Sequence, residues 1–254
     1  MTTSPKSDQA LHVIADVVQH HACWSCGDMR AAHFCNACGK LQPATPTDFF
    51  SFFGVPRKLN IDLAALEREF YSLSRKLHPD LYARGDSREQ HWSLEKSSQL
   101  NDAYRTLRDP ISRTEYLLKL EGVDLEEQSK SATEKARQTG EAKKQVVPPE
   151  LLEEVFELNM QLEEARMNRK AGEEDAQLAE DLRGTKANLE AKYRALDEEL
   201  RGYWNEWDAL VEQHPSGQIS ESERKPVRDQ MLNLLNRRSY IRNLVRDVNE
   251  VLGD

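Results

Sequence analysis

Apolar positions in this chain recur at helical spacing in two separate stretches. Between Asp62 and His78, residues Leu63, Leu66, Phe70, Leu73 and Leu77 stand three and four apart, which lays them on one face of a helix, and Pro79 ends the run. From Asp48 to about Val123 there are four helical signals, separated by Gly54-Val55-Pro56, His78-Pro79-Asp80 and Asp109-Pro110. After Pro148-Pro149 the pattern becomes heptad-like: Leu151, Val155, Leu158, Leu162; then Leu178, Leu182, Leu189, Tyr193, Leu196, Leu200, Tyr203, Trp207; then Val227, Met231, Leu234, Ile241, Val245, Val248. Three long helices packed antiparallel satisfy it, with turns at Ala171-Gly172 and Pro215-Ser216-Gly217. The expected fold is all-α.

The stretches between these patterns divide the chain. Residues 1–22 are polar apart from Leu11, Val13, Ile14, Val17 and Val18, which suit one short amphipathic helix of no assigned role. Residues 23–42 hold all four cysteines, and Pro43 to Asp48 reads as a linker ending in a helix N-cap. Residues 48–123 form the first helical domain. Residues 124–147 are charged and small, a composition that buries too little apolar area for a core and predicts a polar linker. Residues 148–254 form the three-helix bundle.

Composition narrows the function. With 38% hydrophobic and 31% charged residues, 11 glycines and 10 prolines in 254 positions, the chain favours helices with wet faces over one thick core. A net charge of -9 disfavours nucleic acid as the main partner, because a phosphate backbone needs a broad basic face. No apolar run approaches the roughly 20 residues that cross a bilayer. The N-terminus lacks a secretory core, and Asp8, Asp16 and Asp28 with no arginine before Arg30 argue against a transit peptide. A cytoplasmic protein is expected, or one of the mitochondrial matrix in a eukaryote. An adaptor rather than an enzyme is expected; no glycine-rich phosphate loop ending in Gly-Lys-Ser/Thr occurs, so the chain is not expected to be an ATPase and nucleotide chemistry would belong to a partner.

Cys23, Cys26, Cys35 and Cys38 form two C-x-x-C pairs, each followed by a glycine, Gly27 and Gly39. A two-residue gap lets both thiolates of a pair face one ion, while the glycine supplies the turn that points backbone amides at sulfur. Four soft thiolates suit zinc, with iron as the other metal, and the closed shell makes the site structural. A disulfide framework or a dithiol redox pair is the competing reading.

His78-Pro79-Asp80 sits where the amphipathic helix stops, with both polar side chains at an exposed turn. Read alone it is a helix stop or an isolated acid-base pair. It does not stand alone. Asp48-Phe49-Phe50, Phe53-Gly54-Val55-Pro56, the amphipathic helix, the tripeptide, and Asn101-Asp102-Ala103-Tyr104-Arg105-Thr106-Leu107-Arg108-Asp109-Pro110 resemble the J-domain in order and spacing. Arg113-Thr114-Glu115-Tyr116-Leu117-Leu118 with Glu121-Gly122 resembles the HscB-type iron-sulfur cluster co-chaperones, and the tetracysteine segment with Trp24 and Phe34 resembles the N-terminal metal segment of some of them.

That resemblance implies a co-chaperone that stimulates the ATPase of a DnaK/HscA-class chaperone through His78, Pro79 and Asp80. It also implies basic contacts from the preceding helix, for which Arg68, Arg75 and Lys76 are the candidates, although this helix is less basic than in many J-domains. The second implied partner is the iron-sulfur cluster scaffold protein. At about 100° per residue, Leu152, Phe156 and Met160 fall on a side separate from the Leu151/Val155/Leu158/Leu162/Ala165 seam. Glu153, Glu157 and Glu164 flank them. An apolar centre with an acidic rim suits a protein partner, the alternative being that the bundle wraps both stripes as core. In the family the corresponding helix holds the scaffold, and Met160 departs from an acidic position there. A general J-domain protein serving other clients and a zinc-binding regulatory protein are the rival functions.

Overall fold

The computed structural model describes residues 22–29, 32–123, 151–173, 175–214 and 219–253. The expected N-terminal helix, the 124–147 linker, Pro148-Pro149, Pro215-Ser216-Gly217 and Arg30 lie outside the described residues. The fold is all-α: α1 (Phe49–Phe52), α2 (Leu63–Leu77), a 3-10 turn (Pro79–Leu81), α3 (Ser87–Arg108), α4 (Pro110–Leu120), α5 (Leu152–Ala171), α6 (Ala176–Gln213) and α7 (Glu221–Leu252). The chain divides into two compact units, one of the described residues within Met1–Val123 and Trp207–Gln218, the other of those within Asp124–Glu206 and Ile219–Asp254.

Side-chain caps set the helix starts of the first unit. Asp48 accepts the Ser51 amide at 3.0 Å, Asp62 that of Ala65 at 2.9 Å and Asp109 that of Ser112 at 2.7 Å. Each carboxylate takes up an amide that the helix itself leaves unbonded. Pro110 at the start of α4 pre-sets the helical φ where no N–H is needed. The apolar face of α2 is narrower than its spacing predicts. Leu66, Leu73 and Leu77 are buried, while Leu63, the first helical residue, is 50% exposed.

The buried face of α3 changes character along its length. Glu89, Ser93, Lys96, Leu100, Ala103 and Leu107 follow the 3-4 ladder of one helix side. Its C-terminal half is apolar and joins Phe50, Leu66, Leu73, Leu117 and Leu118 among the buried residues. Its N-terminal half is polar, and each of those three side chains has a partner described below. The last stretch of α6 completes this unit, with Trp207 2% exposed and its indole N–H donating to the Arg57 carbonyl at 2.9 Å.

The second unit runs α5 up, α6 down and α7 up. Arg169 near the end of α5 donates to the Glu250 carbonyl near the end of α7, and Lys192 on α6 pairs with Glu154 at the start of α5. Leu151, Val155, Leu158 and Leu162 are buried, as are Leu178, Leu182, Leu189, Leu196 and Leu200 of α6 and Met231, Leu234, Ile241 and Val248 of α7. Trp204 is buried here, as Trp207 is in the first unit, and both act as packing residues. The break at Gly172 is a left-handed C-cap at φ 74°, and Ser220 with Glu223 forms a capping box that opens α7.

Candidate functional sites

The tetracysteine segment is a pair of matching knuckles. Cys23 is bridged by the Gly27 amide at 2.9 Å and Cys35 by the Gly39 amide at 2.8 Å, both onto the cysteine carbonyl, with the glycines at φ 76° and 71°. The four sulfurs lie within 4.8 Å of one another, Cys23 to Cys38 at 3.7 Å and Cys26 to Cys35 at 3.5 Å. A tetrahedron with metal–sulfur bonds of about 2.3 Å has edges of about 3.8 Å, so the donor set fits a four-coordinate ion with little adjustment. All four cysteines are free, and they are positioned to hold a metal ion.

Hydrogen bonds to sulfur prepare the cluster. The Ser25 amide and the Gln42 side-chain amide both approach Cys23 Sγ at 3.4 Å. Burial raises the Cys23 thiol, but the backbone amides of Cys26 and Ser25 and the neighbouring thiols outweigh it and bring it down to about 6. Cys26 receives the Asp28 amide, which lowers it, yet its place beside the Cys35 thiol and its desolvation carry it up to about 12. Metal entry must therefore displace protons from this set.

The His78 turn is held from behind. His78 ends α2 with φ -59° and ψ 128°, as the residue before a proline must. Because α2 stops before Pro79, its last carbonyls lack donors from a following turn and find side-chain ones. Ser93 and Ser97 of α3 both donate to Leu77, at 2.7 and 2.8 Å, and Tyr82 donates to Lys76 at 3.0 Å. His78 Nδ1 accepts the Asp80 amide at 3.3 Å and lies 3.6 Å from the Asp80 carboxylate, while both side chains face solvent. Arg68, Arg75 and Lys76 are exposed. Tyr71, 55% exposed and three residues on from Arg68, joins that stripe. Sequence reasoning missed it because an aromatic in an amphipathic helix reads first as core.

In the second unit the outward side of α5 is apolar. Leu152 is 54% exposed, Phe156 66% and Met160 54%, with Glu153, Glu157 and Glu164 exposed beside them. Among the described residues, the bundle does not wrap this stripe as core. Met167, 65% exposed and seven residues beyond Met160, lengthens it by two turns.

No protein-family model matches the chain. It is 40% identical over 111 residues to the mouse iron-sulfur cluster co-chaperone protein HscB, covering 41% of this chain and 47% of that protein. It is 34% identical over 144 residues to the Arabidopsis thaliana HscB homolog, covering 56% and 51%. The chain resembles the HscB iron-sulfur cluster co-chaperones. It spans about half the length of the curated HscB relatives it matches. The crystal structure of human HscB superposes with a TM-score of 0.56 at 23% identity, covering 90% of this chain and 96% of that one, so the HscB fold extends over both units. No described helix is long and apolar enough to cross a membrane.

Proposed function

We propose that this chain is a J-domain co-chaperone of iron-sulfur cluster assembly, which stimulates the ATPase of a DnaK/HscA-class chaperone and delivers the scaffold protein to it. In this reading it is an adaptor with no catalytic residue of its own, working in the cytoplasm or the mitochondrial matrix. The observation that carries it is the His78-Pro79-Asp80 turn. Its two polar side chains are exposed and idle, hydrogen-bonded only locally, at the end of a helix that presents Arg68, Tyr71, Arg75 and Lys76. Cys23, Cys26, Cys35 and Cys38 hold a structural zinc ion, since a closed tetrahedral thiolate shell leaves no position for a substrate. The scaffold docks on Leu152, Glu153, Phe156, Glu157 and Met160, an apolar line with an acidic margin.

His78→Gln tests the reading. The side chain is exposed, so the variant keeps its helical circular dichroism, and its stimulation of single-turnover ATP hydrolysis by the chaperone is lost. Undiminished stimulation would remove the J-domain mechanism.

A further inference from the structure

The knuckle and the His78 turn rest on the same stretch of one helix. On the N-terminal half of α3, Glu89 and Lys96 are 7% and 4% exposed and Ser93 is fully buried, an unusual run of polar groups on an inward face. Two of the three are answered by the knuckle and the third by the turn. Lys40 lies 3.4 Å from the Glu89 carboxylate. Lys96 lies 3.3 Å from His33 Nδ1, whose other ring nitrogen donates to the Phe52 carbonyl at 2.8 Å, which leaves Nδ1 as the acceptor for the ammonium. Ser93, between them, holds the Leu77 carbonyl that ends α2.

The outer edge of the same stretch is clamped by an aromatic. Trp24, the residue after the first cysteine, meets Trp92 edge-on at 5.6 Å, carries the Arg88 guanidinium over its ring at 4.7 Å and donates its indole N–H to Leu41 at 2.7 Å. Arg88, Glu89, Trp92 and Lys96 therefore all contact the knuckle from one side of α3. Within the described knuckle, the buried apolar residues are Cys23, Cys35 and Leu41. A segment with so small a core takes its shape from the ion its thiolates bind.

We propose that the metal-filled knuckle is a brace for the His78 turn. Metal binding fixes Trp24, His33 and Lys40 against residues 88–96 of α3, and α3, held there, presents Ser93 and Ser97 to the last carbonyl before His78. Metal loss frees the knuckle, strips Glu89 and Lys96 of their partners, and loosens the turn from behind. The link to chaperone stimulation rests on the function proposed above; the brace itself does not.

Hydrogen–deuterium exchange on the full chain tests this, metal-loaded and after chelation, with metal content read by elemental analysis. Removing the metal speeds exchange at least about tenfold in peptides covering 88–97 and 76–83, and leaves 152–171 of α5 unchanged as an internal reference. Trp24→Ala, with all four cysteines intact, keeps the metal and speeds exchange in the same two peptides. The brace is overturned if no metal binds, if metal leaves while 88–97 exchanges at its original rate, or if 88–97 loosens and 76–83 does not. Unaltered exchange in Trp24→Ala overturns the clamp assigned to that residue. If His78→Gln stimulates the chaperone normally, the functional reading fails while the exchange result still decides the brace.

Discussion

The Asp208 carboxylate accepts the backbone amide of Leu59 at 2.6 Å, across 149 residues of sequence. Its other oxygen takes the Asn60 amide at 2.8 Å and the Asn60 side chain at 2.9 Å, and the Arg113 guanidinium feels its charge. One buried carboxylate from the end of α6 thus satisfies a loop that has no strand or helix of its own between Phe52 and Asp62.

Asp208→Ala leaves the buried Leu59 amide without this partner and removes one of the two carboxylates, with Asp109, that offset the Arg113 charge. The variant loses about 3 kcal/mol of stability, read as a lower urea midpoint at unchanged slope. Asp208→Asn, which keeps one acceptor oxygen, loses clearly less. Equal losses in the two variants would show that shape, not hydrogen bonding, holds the loop.

Lys96 makes alkaline stability a diagnostic. Burial brings its ammonium down from 10.5 to about 8. Between those values the unfolded chain binds a proton that the folded chain has released, so stability rises with pH across that window, and below 8 the cost of the buried charge, on the order of 3 kcal/mol, is carried in full. Lys96→Met removes this contribution. Urea unfolding at pH 7.5 and 10 should show the wild type gaining about 2 kcal/mol relative to the variant between the two; parallel behaviour would mean that Lys96 is neutralised by another group.

The tetracysteine site takes up one zinc ion per chain when the protein is purified in reducing buffer without added metal. Elemental analysis counts the ion, and thiol titration finds the cysteines protected until a chelator is added. Four freely titrating thiols with no bound metal would leave the segment a dithiol pair.

Phe156→Ala weakens binding of the scaffold protein by about 1–3 kcal/mol, while the melting temperature hardly moves because the ring is two-thirds exposed. Met167→Glu probes the far end of the stripe, and if the footprint reaches that turn it lowers affinity about tenfold or more at unchanged stability. Calorimetric titration of the scaffold, with thermal melts alongside, reads both. A collapse of the melt in Phe156→Ala would return that residue to the core.

Local signals carried much of this architecture. Prolines and aspartates mark helix ends by mechanisms within four residues, so the boundaries around Asp48, His78 and Asp109 were readable from sequence, as were the knuckle glycines. Leu152, Phe156 and Met160 could be separated from the seam because helical angle alone sorts them. The rest depends on pairing between distant residues. The polar ladder Glu89, Ser93, Lys96 does not show as an inward face in any hydrophobic pattern, since its partners Lys40, Leu77 and His33 lie elsewhere in the chain. Trp207 reads as an ordinary bundle position and Asp208 carries no signal, because nothing near them in sequence announces the loop at Arg57 to Asn60. Leu63 was expected inside and is half exposed, at the first helical position of α2, where the 3-4 spacing alone does not show whether a neighbour covers the turn.

The end of α6 also sets an order of events during synthesis. The loop around Leu59 is translated early, but Trp207 and Asp208, which close it, follow more than eighty residues after Val123. At about 5–20 residues per second, the ribosome delivers them on the order of 4 to 17 s later. Over that interval the nascent N-terminal unit carries an unfilled tryptophan site and two unmet amides, a state that a cell must tolerate or shield. Fragments that stop at Val123 keep that state permanently, so their solubility and folding should be judged against the longer chain.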